Sequence, residues 1–288
     1  MLKKMLKKVF PGISWQNPVV RLGLAILDPL DYLFRAARGL QHLPKYSIRV
    51  ISNGVNQQFG GASFARYGEL LVSILQQNTG FSRGADILEI GCGCGRTALG
   101  LRSLLDDGKY TGMDINRKSL EASKNNPALK AKNFRFDLLD VYNFEYNPTG
   151  KHVAHSYTFP YENGQYNVVF LVSVFTHMLH KDVSRYIQEI SRILKPGGYC
   201  MLTTFLVDYG KIFKDAEVSF RFTDGVSHFR TEFIPEMVVG YYLEFFETEF
   251  GKHSMKLSAK LPGSWRGVPE VESTSSFPQD ILFFRKSN

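Results

Sequence analysis

The apolar positions of this chain change period along its length, and the changes mark out its elements. Between residues 63 and 77 they recur three and four apart, with Phe64, Tyr67, Leu70, Leu71, Ile74 and Leu75 on one face, which predicts a helix. Short apolar runs follow at 86–90, 110–114, 134–139 and 166–174, and these read as four strands. Helical segments at 96–105 and 117–125 separate the first three. Residues 182–194 return to helical spacing with Val183, Tyr186, Ile187, Ile190 and Ile193 inward, and Lys195-Pro196-Gly197-Gly198 stops that helix before a fifth strand at 199–206. Residues 235–248 read as a further helix, and 255–261 with 280–285 as a closing pair of strands. Apolar strands separated by helices imply a parallel sheet covered on both faces. The predicted class is α/β: a Rossmann-like, doubly wound, mostly parallel seven-stranded sheet with a closing antiparallel strand pair.

The first fifty residues follow a different pattern. The apolar stretch at 19–34 is interrupted by Arg21, Asp28, Pro29 and Asp31, which excludes a spanning helix and predicts two short amphipathic ones. Asp28-Pro29 reads as an N-cap followed by proline at the first helical position, with Gly39 as the stop. Residues 1–10 are basic and amphipathic. Pro11, Gly12, Gln16, Asn17 and Pro18 then stand where an export signal would need its apolar run, so none is expected. Two readings compete for this extension. One is a peripheral anchor, with lysines on anionic headgroups and Leu2, Met5, Leu6, Val9 and Phe10 dipping into the bilayer; the other is a solvated tail followed by a lid. The expected organisation is a basic extension at 1–50 and one catalytic domain at 51–288, with a cap-like aromatic segment at about 207–250.

Charge sharpens that division. The 288 residues carry a formal net charge of +8. Nine bases against two acids place +7 of it in the first fifty residues, leaving 26 bases against 25 acids in the remainder. A groove that tracks nucleic-acid phosphates would need basic residues across the folded domain, so a nucleic-acid substrate is not expected. The composition, 44% hydrophobic and 14% aromatic, is ample for a core. Cys92 and Cys94 lie too close in a loop for an unstrained disulfide, and Cys200 sits in an apolar strand, which predicts reduced, buried thiols and a cytoplasmic setting. No second Cys or His pair stands at metal-ligand spacing, so no metal is expected.

Candidate chemistry concentrates where the first strand ends. Ile87-Leu88-Glu89-Ile90 runs into Gly91, Gly93 and Gly95 at alternate positions, and the second strand ends in Asp114. Glycines at a strand end let a ligand touch backbone, and an acid at the next strand's tip can accept both hydroxyls of a ribose. A nicotinamide dinucleotide site usually reads Gly-x-Gly-x-x-Gly, the wider spacing making room for a pyrophosphate, and this chain has Gly-x-Gly-x-Gly. An NAD-dependent Rossmann oxidoreductase is therefore the weaker reading.

With Asp140-Val141 after the third strand, Phe159-Pro160-Tyr161 leading to Tyr166-x-Val168-Val169, and Leu194-Lys195-Pro196-Gly197-Gly198 before the fifth strand, the stretch from Ile87 to Leu206 resembles class I S-adenosylmethionine-dependent methyltransferases. Gly91-Cys92-Gly93-Cys94-Gly95-Arg96, the run Ser173 to Met178, Gly263-Ser264-Trp265 and Gln279 to Leu282 are similar to the small-molecule or sugar-modifying type 11/12 branch.

The resemblance implies S-adenosylmethionine as cofactor and assigns roles. The backbone of Gly91, Cys92, Gly93 and Gly95 would approach the methionine tail, with Glu89 orienting that loop or reaching the ammonium through water. Asp114 would accept the ribose hydroxyls, Ile115 would pack on the adenine, and Asp140 and the Val141 backbone would hold its edge. Ser173 to His177 would face the transferred methyl. A hydroxyl acceptor keeps its proton until attack and so favours a positioned base; His177 is the first candidate, followed by His180, Asp208, His228 and His155. Arg96 is open between a helix start and a ligand contact. Asn/Asp-Pro-Pro-Tyr is missing at the fourth strand, which argues against amino methylation of nucleic acid. The aromatic residues Phe205, Tyr209, Phe213, Phe220, Phe222, Phe229 and Phe233 suit a sugar, a ring-bearing small molecule or a lipid-linked acceptor, and equally a hydrophobic cap. A non-catalytic S-adenosylmethionine-binding module is the main alternative to an enzyme.

Overall fold

A computed structural model describes residues 17–54, 58–130, 133–207, 219–266 and 277–288. The expectations for residues 1–10, for Asp208, and for Tyr209 and Phe213 lie outside the described residues. Among the described residues there are ten strands. Seven of them are hydrogen-bonded in the order β3 (Phe134–Leu138), β2 (Tyr110–Asp114), β1 (Ile87–Ile90), β4 (Tyr166–Leu171), β5 (Leu194–Thr204), β10 (Asp280–Lys286) and β9 (Met255–Leu261), and the other three form a small sheet in the order β6 (Phe222–Thr223), β7 (His228–Phe229) and β8 (Val239–Gly240). Contacts divide the chain into two compact units, 1–74 with 92–151, and 75–91 with 152–288.

The first unit holds the parallel pair β2 (Tyr110–Asp114) and β3 (Phe134–Leu138). It also holds α1 (Pro18–Ile26), α2 (Asp28–Ala36), α3 (Tyr46–Asn53), α5 (Arg96–Leu101), α6 (Arg117–Lys124) and α7 (Pro127–Lys130). Two short helices were expected at 19–34, and both form. The capping reading is corrected: the cap position of α2 is Leu27, and Asp28 sits in the first turn, where it accepts from Ser47 N–H and Oγ, both at 2.8 Å. Two donors at the start of α3 hold this carboxylate better than a cap would. Gly39, at φ 69°, ends α2 as expected. A buried charge cluster then fastens α2 to α3. Asp31 accepts from Arg35 Nε at 2.7 Å, Arg49 Nη2 at 2.6 Å and Gly60 N–H at 2.8 Å, and all three charged side chains are almost fully buried. Burial pushes the Arg49 guanidinium down, opposed first by its bond to Asp31.

The second unit holds β1 (Ile87–Ile90), β4 (Tyr166–Leu171) and β5 (Leu194–Thr204), mutually parallel, with β10 (Asp280–Lys286) antiparallel on β5 and β9 (Met255–Leu261) antiparallel on β10. The closing pair is as predicted. Helix α4 (Ala62–Thr79) leads toward β1, and α8 (His180–Ile193) buries all five side chains expected to face inward. Strand β4 ends earlier than the apolar run suggested. Ser173 takes φ 59°, a left-handed turn that a strand cannot contain, and its N–H donates to Thr203 Oγ1 at 2.8 Å. The Lys195 to Gly198 turn is a bulge at the start of β5, where the register moves from Tyr166 opposite Leu194 to Val168 opposite Tyr199.

The helix expected at 235–248 is a correction. A 3-10 turn (Pro235–Met237), the short strand β8 (Val239–Gly240) and a later helix α9 (Leu243–Gly251) replace it. Val239 and Tyr241 are fully buried, and the Tyr241 hydroxyl donates to the Met178 carbonyl at 2.5 Å. Burial in β geometry overrides helical spacing here. Within the aromatic segment β6 (Phe222–Thr223), β7 (His228–Phe229) and β8 form the small sheet, and Trp265 packs edge to face on Phe205 and Phe220, with centroids 5.2 and 5.8 Å apart. Phe233 is 97% exposed.

Candidate functional site

In the first unit the apolar strand β2 delivers Asp114 to its carboxyl end. There Oδ2 accepts the Gly93 N–H at 2.7 Å and Oδ1 the Asn116 N–H at 2.6 Å. A carboxylate offers about four lone-pair sites, so acceptor capacity remains beyond these backbone donors. Burial raises the Asp114 carboxyl above the ordinary range, opposed by the backbone N–H groups of Asn116, Gly93 and Ile115. The half-buried carboxylate therefore has its geometry fixed by backbone. Ile115, next in sequence, is half-buried.

The glycine loop is backed by side chains that sequence reasoning did not identify. Ser123 Oγ donates to the Gly93 carbonyl at 3.1 Å, and Ser52 Oγ to Ser119 Oγ at 2.7 Å. A Cβ on Gly93 would stand 3.3 Å from that of Ser52, so α3 lies directly behind the loop. Asn116 caps α6, accepting the Ser119 N–H at 3.1 Å; the Asn-x-x-Ser spacing was the available signal. Cys92 and Cys94 are buried and form no disulfide, and burial raises the Cys94 thiol to about 11. Both are inert packing groups.

The loop after β3 carries the remaining residues of this half. Val141 is buried. Asp140 is exposed, and its Oδ1 accepts the Lys151 N–H at 3.3 Å, closing the 140–151 loop. The neighbouring acid Asp137 is engaged elsewhere, paired with Arg135 on β3. The same loop brings Tyr146 close enough to Asp114 for that charge to act on its phenol, which burial, then Glu145 and Asp114, push above the ordinary tyrosine range. Nothing in the polar run 143–150 pointed to this residue. Arg96 begins α5, and its carbonyl stands 2.5 Å from where a Cβ on Gly68 would be, a helix crossing that only glycine permits.

In the second unit Glu89 is buried on β1, and Gly91 follows it with φ 75°. A Cβ at Gly91 would lie 2.5 Å from Val174 Cγ2. Ser173 Oγ donates to Gln279 Oε1 at 3.0 Å, and Thr203 Oγ1 donates to the same oxygen at 2.5 Å. His177 is half-buried in a 3-10 turn (Phe175–His177), with Nδ1 3.1 Å from the Glu236 carbonyl. Burial lowers its pKa, opposed by the Glu236 and Met237 backbone. In the neutral ring the Glu236 carbonyl places hydrogen on Nδ1. Of the other histidines, His180 Nδ1 lies 3.3 Å from both Asp224 Oδ2 and Ser227 Oγ, His155 Nδ1 lies 3.4 Å from Asp182, and His228 packs edge to face on Tyr242. Among the described residues no three His, Cys, Asp or Glu side chains converge on a metal position.

Comparison with known proteins bears on the fold and the domain family. Residues 88–202 match a methyltransferase domain family. Over 121 residues the chain is 29% identical to phthiotriol/phenolphthiotriol dimycocerosates methyltransferase 1 of Mycobacterium ulcerans, a match covering 42% of this chain and 37% of that relative. Over 145 residues it is 23% identical to methyltransferase GfsG of Streptomyces halstedii, covering 50% and 46%. The matches span less than half the length of these curated relatives. Among solved structures, an S-adenosylmethionine-dependent methyltransferase from Mesorhizobium loti superposes with a TM-score of 0.52 at 13% identity, covering 75% of this chain and 96% of that one. The fold is therefore that of S-adenosylmethionine-dependent methyltransferases.

Proposed function

We propose, from the premise that residues 88–202 are a methyltransferase domain, that this chain transfers a methyl group from S-adenosylmethionine to a hydroxyl of a small-molecule, sugar or lipid-linked acceptor. The observation that carries the reading is Asp114: an acid at the tip of β2, oriented by the Gly93 and Asn116 N–H groups at the mouth of the glycine loop. S-adenosylmethionine, when bound, supplies a methyl on a sulfonium whose departure leaves neutral sulfur. Asp114 accepts the ribose hydroxyls, and each charge-assisted bond contributes about 1.5–3 kcal/mol. Val141 and Ile115 offer apolar contact to the adenine, and the free oxygen of Asp140 accepts from its amino group. The loop from Gly91 through Cys92 and Gly93 to Gly95 presents backbone to the amino-acid tail, with Glu89 orienting that loop. Ser173 N–H and Oγ are committed to Thr203 and Gln279, so this residue shapes the turn that borders the methyl.

Much of the acceleration of an in-line transfer comes from alignment. Burial depresses the pKa of His177 so that it is neutral near pH 7, the state in which an imidazole takes the proton of the attacking hydroxyl. The phthiotriol named for the mycobacterial relative is an alcohol by that name, which supports oxygen as the acceptor atom. Calorimetry with S-adenosylmethionine, S-adenosylhomocysteine and NAD tests the cofactor: binding to the first two alone is expected, and comparable NAD affinity would overturn it. Transfer of radiolabelled methyl into a cell extract then identifies the acceptor. Tight cofactor binding without transfer into any fraction would instead favour the non-catalytic module.

A further inference from the structure

Helix α1 has the sequence Pro-Val-Val-Arg-Leu-Gly-Leu-Ala-Ile, apolar nearly all round, yet none of its residues is buried. A helix of that composition ordinarily lies inside a core. Here Val19 is 78% exposed, Leu22 66% and Ile26 71%, and α2 continues the surface with Leu30 exposed and Leu33 at 63%. Scattered exposed apolar residues are normal, but five large ones within fifteen positions form a patch of the kind that marks a contact surface.

The charges around the patch select the partner. Residues 17–45 contain two acids, and neither faces water freely: Asp31 is fully buried between Arg35 and Arg49, and Asp28 is half-buried on Ser47. The exposed charges of this stretch are therefore basic, Arg38 and Lys45, with Arg21 half-buried among the apolar side chains of α1. A protein surface that excludes acids and exposes leucine, isoleucine and valine beside arginine has the chemistry of an interfacial helix. No described helix is long and apolar enough to cross a membrane. We infer that α1 and α2 bind the surface of an anionic bilayer, their apolar side chains entering the headgroup boundary and Arg21, Arg38 and Lys45 meeting lipid phosphates. This inference is independent of the proposed activity, and it assigns the membrane contact to helices inside the folded unit rather than to the lysine-rich residues 1–10.

Vesicle flotation of the full chain separates the outcomes. The probes are phosphatidylcholine vesicles with and without about 30 mol% phosphatidylglycerol. The expected result is flotation with the anionic vesicles only, weakened by salt, and reduced at least about tenfold in a variant carrying Leu22→Glu, Ile26→Glu and Leu33→Glu. These side chains are exposed, so the variant should keep the circular dichroism and melting temperature of the parent. Flotation of the variant equal to that of the parent would overturn the inference and assign binding to residues 1–10. Failure of the parent to float would also overturn it, and a dimer that the variant dissociates would then identify a second copy as the occupant. Arg38→Glu gives an independent reading: reduced binding to anionic vesicles is expected, and unchanged binding would remove the electrostatic half of the inference.

Discussion

At the residue scale the testable chemistry rests on Asp114 and His177. Replacing Asp114 by Ala removes both hydroxyl contacts, and an S-adenosylmethionine affinity at least about tenfold weaker is expected by calorimetry. The raised pKa of Asp114 also sets a pH dependence. A protonated carboxyl offers fewer acceptor sites, so cofactor affinity should fall as pH drops through that raised value, earlier than for an ordinary aspartate. Asp114→Asn should bind weakly throughout and flatten that slope; an unchanged slope would assign it to another group. For His177 the pKa is depressed, so the stability tied to its neutral form is present above about 6.5 and lost as pH falls through the folded value. His177→Gln should lessen that acid-side loss and reduce kcat by about a hundredfold while cofactor affinity holds. A kcat within twofold of the parent would leave the histidine with only a packing role. Asp114 was legible because a strand tip fixes its place whatever surrounds it. Tyr146 was not, because a residue in a polar loop reaches the site only through the way that loop closes.

At the element scale two junctions set the geometry. Gly91 combines φ 75° with a missing Cβ that would stand 2.5 Å from Val174 Cγ2. Gly91→Ala should cost about 1–3 kcal/mol in backbone strain alone, read as a lowered melting temperature. Adding Val174→Ala should recover the packing part and leave the strain; full recovery would mean that the backbone tolerates alanine. On β10, Asp280 is fully buried and accepts from Leu206 N–H, Gly263 N–H and Trp265 Nε1 at 2.7 to 2.9 Å. Asp280→Ala would strand those buried donors at about 1–3 kcal/mol each, so a chain that no longer melts cooperatively is expected by calorimetry. The parallel strands and α8 were legible because long, strongly periodic runs decide themselves. The segment 235–248 was not. Its spacing suits a helix, but Tyr241 finds its hydrogen-bond partner 63 residues earlier in sequence, and a long-range contact of that kind leaves no local trace.

At the scale of the whole molecule, the mostly parallel sheet and the cofactor class were readable from a stretch of little more than a hundred residues, since glycine loop, acid and turn follow one another along the chain. The first fifty residues were harder. Their net charge suggested a basic appendage, whereas two of its arginines, Arg35 and Arg49, are interior groups paired with Asp31. Charge counted along a sequence says nothing of which side chains face water. That cluster also bears on how freely the segment can be exchanged or lost. Removing residues before Tyr46 would take Asp31 away and leave Arg49 as a lone cation in the interior, at a cost of several kcal/mol. The N-terminal helices and the domain they precede are thus bound to a shared history: any descendant that trims or replaces the first must change Arg49 in the same step or lose the second.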